Sequence, residues 1–517
     1  MKQTKHIITL LLCTCAATLH AQESYYRYDD AVQLWRLTGN AAGLGIDHTR
    51  NRGYALFNAE HQDGSYARVQ EGTQTNQLRF QTERYQKVGK YMYAYGRFDF
   101  DYGRKKNQTW CDVMRPYNAN PFIAGSSIIG KYDFQDFNFT AALGTVSFFG
   151  KAGSNNGLRF GLRLDYNVGD MSRLRDPRSR SQLLDYKLSP ALTYTFGRNT
   201  LGLSGSYHRR KEKVIGVTTV QQDPTLKYYL MSGMEHAEGT IGGYSSFSRE
   251  WVDHRFGAEL TYAYQTKDSK TLVSLQAERG QESAYGQYKY EPGLFVDYRY
   301  GAALHFREPS RQGNVIHQAD LSIAYQQAYA DEYRQQLRQE KDAETGFTSY
   351  YYDNTLTYKK RYQVNTLDVD FRYRANFIKE KRECAYAGVN MGLRTAENKR
   401  LLPVSELKYG GASLTAEGGI SIARHLWIDA SIGGFLADNA TLLLADPTTD
   451  YAKGVLLPDM DYYNANYWRG HLQLTFDFPL KIKGKTTHWF VRAYGDYLKT
   501  DNSLDSKCAG VSIGLFN

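Results

Sequence analysis

Charged side chains recur at every second position in several parts of this chain, and that spacing is its first sign of chemistry. Arg159, Arg163 and Asp165 alternate with Leu158, Phe160, Leu162, Leu164 and Tyr166. Asp368, Asp370, Arg372 and Arg374 alternate with Leu367, Val369, Phe371 and Tyr373. The same spacing puts Asp297, Arg299, Asp429, Asp477, Arg492 and Asp496 on the polar side of apolar runs. Charges of both signs on one strand face are tolerable where water and opposite charges compensate them. Such a face suits the wall of an ion- or solute-selective passage, and equally a set of cross-strand ion pairs bracing a narrow barrel.

Other chemistry finds little support. Gly510, Ser512 and Gly514 have the spacing of a hydrolase nucleophile elbow, but that elbow needs a strand, a sharp turn and a helix, and here the chain ends as a strand. The twelve histidines show no H-x-x-x-H spacing and no cysteine companions, so no metal site is expected. His208, His305 and His471 read as polar lining. Basic residues interleave with acidic ones throughout a chain of net charge +10, so no nucleic-acid surface is expected. The reading is of a non-enzymatic protein without a cofactor.

The elements that must carry these charges are strands. Near the carboxyl end Leu472, Leu474, Phe476, Phe478 and Leu480 alternate with Gln473, Thr475 and Asp477, a period of two. Sixteen such runs can be drawn from Tyr91 to Asn517, and two weaker ones precede them at Gly53–His61 and Asn76–Gln86. Most exceed the ~9–11 residues a tilted strand needs to cross a bilayer. The connections alternate in length: long at 103–135, 169–185, 211–252, 331–359 and 438–466, short at 150–156, 198–199, 266–269, 378–383 and 481–486. A soluble sandwich has no reason to shorten every second loop, whereas a barrel with brief periplasmic turns does. Tyrosine is abundant, 43 residues, as interfacial girdles require. The expected fold is therefore all-β: a transmembrane antiparallel β-barrel of 16–18 strands, with short periplasmic turns and long extracellular loops. Residues 1–21 read as a secretory signal, 22–52 as a periplasmic or lumenal extension, and 53–517 as the barrel.

With alternation through the mature chain and Phe516 near its end, the sequence resembles the outer-membrane β-barrel proteins of Gram-negative bacteria. The resemblance implies outer-membrane lipid and the outer-membrane assembly machinery as partners, and porin-like passage of small solutes. The run Asn40-Ala41-Ala42-Gly43-Leu44 resembles the opening of the fatty-acid channel family, with Ala41 where that family has proline. That likeness implies an amino-terminal plug and hydrophobic solutes. A surface or periplasmic protein partner, held by the long loops, is a further expectation. Closure of the barrel between the strands at Tyr91 and Cys508 would bring Cys111 within reach of Cys508 for a disulfide.

Overall fold

The computed structural model describes residues 22–47, 51–116, 119–148, 156–218, 227–241, 247–266, 269–286, 289–423, 425–482 and 485–516. The signal expected over 1–21 lies outside the described residues. A helix, Gln22–Val32, and two 3-10 turns, Trp35–Leu37 and Ala41–Gly45, precede the sheet. The strands begin with β1 (Arg52–Gly64), β2 (Gln74–Val88), β3 (Met92–Gln108), β4 (Ala124–Gly125), β5 (Gly130–Thr145), β6 (Gly157–Arg173) and β7 (Arg180–Phe196). They continue as β8 (Asn199–Val217), β9 (Lys227–Met231), β10 (Ala237–Ile241), β11 (Phe247–Gln265), β12 (Lys270–Tyr285), β13 (Gly293–Pro309) and β14 (Val315–Lys341). The last are β15 (Thr348–Lys379), β16 (Arg382–Leu401), β17 (Val404–Ala423), β18 (Leu426–Leu443), β19 (Tyr467–Ile482), β20 (Lys485–Thr500) and β21 (Asp505–Phe516).

Eighteen of these form one antiparallel sheet, and β1 closes it on β21, with Phe57 opposite Ile513 and Ala59 opposite Val511. Closure leaves the sheet no open edge, which is the condition for crossing lipid with strands. The short β4, β9 and β10 form a separate three-stranded sheet. Side-chain burial is inverted relative to a soluble protein. Phe160, Leu162, Leu188, Leu203, Phe256, Leu260, Leu472 and Leu474 are exposed on the outside, while Arg159, Asp297, Asp429 and Asp477 are buried. An apolar outer belt around a charged interior belongs in a bilayer, and the protein is an outer-membrane barrel.

The start of β1, the end of β21 and the tightest turns share one rim, which is the periplasmic one. Glu380 and Lys381 make the β15–β16 turn with positive φ at both residues, 52° and 59°, as a two-residue hairpin with the twist of the sheet requires. All eighteen sequence runs are strands, the two weaker ones becoming β1 and β2. The outer ends differ from the sequence reading. Residues 331–359 are mostly continuous strand, because β14 and β15 extend to a turn at 342–347, and 396–408 reduces to a turn at Leu402–Pro403. Beyond the lipid both faces meet water, so alternation fades while backbone pairing persists.

The Cys111–Cys508 pairing is overturned. Both thiols are free. The barrel closes through β1, so β1 and β2 stand between β21 and β3, and Cys508 faces Gln62 and Asp496 in register instead.

Candidate functional site

The lumen is occupied from its periplasmic end by residues 22–47. Arg27 on the amino-terminal helix makes a double hydrogen bond to Asp429 of β18, at 3.1 and 2.9 Å. Asp429 also accepts from Tyr386 Oη, Trp427 Nε1 and Gln473 Nε2 at 2.9, 2.9 and 3.0 Å. Arg374 lies 3.4 Å from the centre of the Tyr386 ring and donates to Glu383 at 2.8 Å. Two arginines, two carboxylates, a tyrosine and a tryptophan thus clamp one side of the helix. On the other side buried Arg52 of β1 reaches Asp30 at 2.9 Å, and Tyr26 packs on Phe516 at 4.8 Å between ring centres. Lys270 and Gln318 donate to the carbonyls of Val32 and Ala31.

Past the helix the chain presses against the opposite wall. The amides of Leu34 and Trp35 bond to Asp47, at 3.4 and 3.0 Å, and draw the segment into a loop. Gly39 N donates to Glu259 at 3.1 Å, and Asn40 donates to Leu192 O at 3.2 Å while capping Ala42 N. This contact depends on missing side chains. A β-carbon on Gly161 of β6 would overlap the backbone of Ala41 and Ala42, and one on Gly144 of β5 would strike Ala41 O. Strand glycine here marks a close backbone approach.

The outer end is filled by loops. The connection between β3 and β5 folds inward: Met114 N donates to Glu212 at 2.6 Å, Asn120 to Glu282, and Trp251 Nε1 to Phe122 O. Its Asp112 accepts from Tyr132 Oη at 2.6 Å beside fully buried Arg173. Phe122, Val214, Tyr228, Trp251, Phe295 and Tyr362 form a common apolar core between this loop, β9 and the wall. Between β18 and β19 the chain winds as a π-helix, Ala452–Leu456, then an α-helix, Leu457–Tyr463. Asp459 accepts from Val69 N at 2.8 Å, and burial pushes its carboxyl up to about 7.

Cavities remain among the described residues, and two of them face the wall charges. One of about 450 Å³ lies between the amino-terminal helix and the wall, with Arg27, Arg36, Arg307, Arg372, Arg374 and Arg492 among its lining. Another of about 350 Å³ lies beneath the outer loops, lined in part by Arg68, Asp368, Arg394, Tyr362, Tyr409 and Tyr463.

The structure places the sequence-selected charges as follows. Asp429 and Arg374 meet at the helix clamp. Asp297 is fully buried and holds Arg299 at 2.8 Å and Arg255 at 2.9 Å. Arg163 pairs with Asp165 at 2.8 Å, Arg372 with Glu417 at 2.7 Å, and Asp368 with Arg394 at 3.1 Å. Asp496 contacts His471 at 2.8 Å, Asp477 lies 3.4 Å from His425, Arg492 reaches Thr475 at 3.3 Å, and Arg159 reaches Thr195 at 2.9 Å. Asp370 stands opposite Gly392 and Ser322 in register. They are therefore dispersed around the wall rather than gathered in one site. Arg27, Glu383, Tyr386, Trp427 and the glycine notches were not singled out from the sequence. Glycines 144 and 161 inside otherwise regular strands were the available signal.

A family model described as a family of unknown function (DUF6850) matches residues 41–517. No curated protein matches the sequence. Among solved structures, the copper transporter OprC is similar at 9% identity, over 90% of this chain and 81% of its own, with a TM-score of 0.38. The outer membrane transporter YddB from Escherichia coli gives 8% identity, 91% and 81% coverage and a TM-score of 0.38. The ferric yersiniabactin uptake receptor FyuA from Yersinia pestis gives 9%, 91%, 80% and 0.38. The likeness goes no further than that of one large barrel to another.

Proposed function

We propose, for a chain that belongs to this family of unknown function, that the barrel is a gated conduit moving small solutes across the outer membrane. The observation that carries this reading is the docked segment 22–47, clamped through Arg27 to Asp429 and seated against Gly144 and Gly161. A permanently open porin has no need of such a fit, and the inward-folded β3–β5 loop adds a second obstruction. The charged wall supports polar solutes over purely apolar ones, because an unpaired charge facing an apolar cargo would be costly. No catalytic step belongs to the proposal. Insertion by the outer-membrane assembly machinery, acting on β21 and its Phe516, does.

A second reading is favoured by one feature. The outer part of the β14–β15 hairpin stands clear of the wall and exposes Leu337, Phe347, Tyr350, Tyr351 and Leu356, as a partner-binding projection would.

Single-channel recording in planar bilayers tests the gate. The wild type is expected to conduct weakly or in rare bursts, and the double variant Arg27→Ala, Gly161→Val to conduct steadily. Equal, steady conductance in both would return the protein to the open-porin reading. Silence of both, with folded protein demonstrated, would remove the conduit.

A further inference from the structure

The barrel wall has one weak seam. β18 and β19 pair only from Leu426 to Phe435 against Phe476 to Tyr467, the shortest ladder among the described barrel strands. β17 stays paired with β18 as far as Leu443, so the outer part of β18 has a strand on one side only. On its open side the amides of Ala437 and Ala440 donate to the side-chain oxygens of Asn466 and Asn464, at 2.9 and 2.7 Å. Two asparagine side chains therefore stand in for the missing ladder. Separating them costs two hydrogen bonds to side chains, and no strand has to unzip.

On the lipid face of this seam lies an apolar groove of about 690 Å³ between Leu414, Gly434, Leu436 and Trp468, with Lys499 and Asp501 at its rim. Leu436 is 70% exposed there. Gly434 leaves part of the floor without a side chain. On the lumenal side of the seam the rings form a continuous path. Phe435 stacks on Tyr467 at 5.3 Å, Tyr467 meets Tyr66 at 5.4 Å, and Tyr66 stacks on Tyr462 at 4.5 Å. Tyr462 meets Tyr463 at 5.6 Å, and Tyr463 stacks on Tyr409 at 4.2 Å, at the wall of the outer cavity.

We infer that the β18–β19 seam is a lateral portal, through which an amphiphile with an acyl chain moves between the outer leaflet and the outer cavity. The inference rests on the conduit reading and adds an amphiphilic cargo class to its polar solutes. The groove is on the outward, lipid-facing side of the wall towards the outer end of β18, so acyl chains are the occupants its apolar lining fits. The tyrosine path offers apolar faces to a sliding chain and hydroxyls to a polar head. The cavity beyond, with Arg68, Asp368 and Arg394, suits the head group.

The test is photo-crosslinking in vesicles of phosphatidylcholine containing a lysophosphatidylcholine with a diazirine in its acyl chain. The protein carries Ala437→Cys and Asn466→Cys, with Cys384 and Cys508 changed to Ser. In the reduced protein, label is expected on Tyr409 or Tyr463, and oxidation across the seam is expected to lower it at least fivefold. A second variant, Gly434→Leu, fills the groove, since Gly434 lines it and a β-carbon there meets only Tyr467 O at 3.4 Å, an ordinary contact. It should lower the same labelling. Labelling that neither change reduces, or none in the reduced protein, overturns the portal. A barrel that conducts ions but takes no label keeps the conduit and loses the portal; one that takes label but never conducts loses the small-solute gate instead.

Discussion

Asp429 is the acceptor on which the helix clamp converges, since it takes hydrogen bonds from Arg27, Tyr386, Trp427 and Gln473. Asp429→Ala would leave three donors and a part-buried arginine without their acceptor, and removing one partner of such a pair costs on the order of 3–5 kcal/mol. That loss should appear as undocking of residues 22–47, read as faster cleavage within Gln22–Val32 by a protease confined to the periplasmic side. Gly161→Val should have the same consequence by overlap, whereas Gly205→Ala, with open space around it, should leave the docking unchanged. Asp459 behaves differently because its contact is a backbone amide in a buried place. With its carboxyl raised to about 7 from an ordinary value near 3.9, the docked helix keeps a proton that the undocked one has released. Docking should therefore be strongest below pH 4, weaken as pH rises towards 7 by at most about 1.4 kcal/mol per unit, and change little above that. Asp459→Asn should flatten this dependence. Hydrogen exchange over Leu457–Tyr463 as a function of pH would read both.

At the scale of elements, the two faces of each strand answer to different solvents. Leu474 faces lipid near the middle of β19, opposite Ala493, and Leu474→Arg should destabilise the barrel by about 2–4 kcal/mol. Denaturant unfolding in detergent would measure it. The β14–β15 hairpin is held differently. Past Glu332 and Tyr362 its strands form a ladder only with each other, braced at the base by Glu291 N on Gln335 at 2.7 Å and by the Tyr290 ring on Tyr352 at 5.1 Å, and an isolated two-stranded hairpin is marginal in water. Brief trypsin treatment should cut first at Arg334, Arg338 or Lys341, and the barrel should persist. Cleavage elsewhere before the hairpin would show that the brace at its base holds its whole length.

For the whole molecule, closure of β1 on β21 makes stability cooperative around the ring: a barrel without edges cannot lose one strand without opening the wall. Unboiled protein should therefore migrate differently from boiled protein on a detergent gel. The same ring sets where anything can leave sideways. Among the described strands β18 and β19 have the shortest ladder, with asparagine side chains over its outer part, so the proposed lateral portal and the proposed gate at the amino-terminal segment lie at separate places on the ring.

The sequence by itself determined the barrel. A period of two is local, each strand writes its own apolar face, and even the weak runs at Gly53 and Asn76 found their places as β1 and β2. Of the charges it put on the polar strand face, Asp297 and Asp429 are buried, because which face an alternating residue occupies decides its burial. What it did not determine were relations between distant residues. Arg27 meets Asp429 across 402 positions, and Ala41 meets Gly161 because a helix and loop enter a closed ring. The inward fold of the β3–β5 loop and the early end of the β18–β19 ladder are likewise set by register and closure. No local pattern encodes them, since a strand's period is the same whether its neighbour runs its full length or stops short.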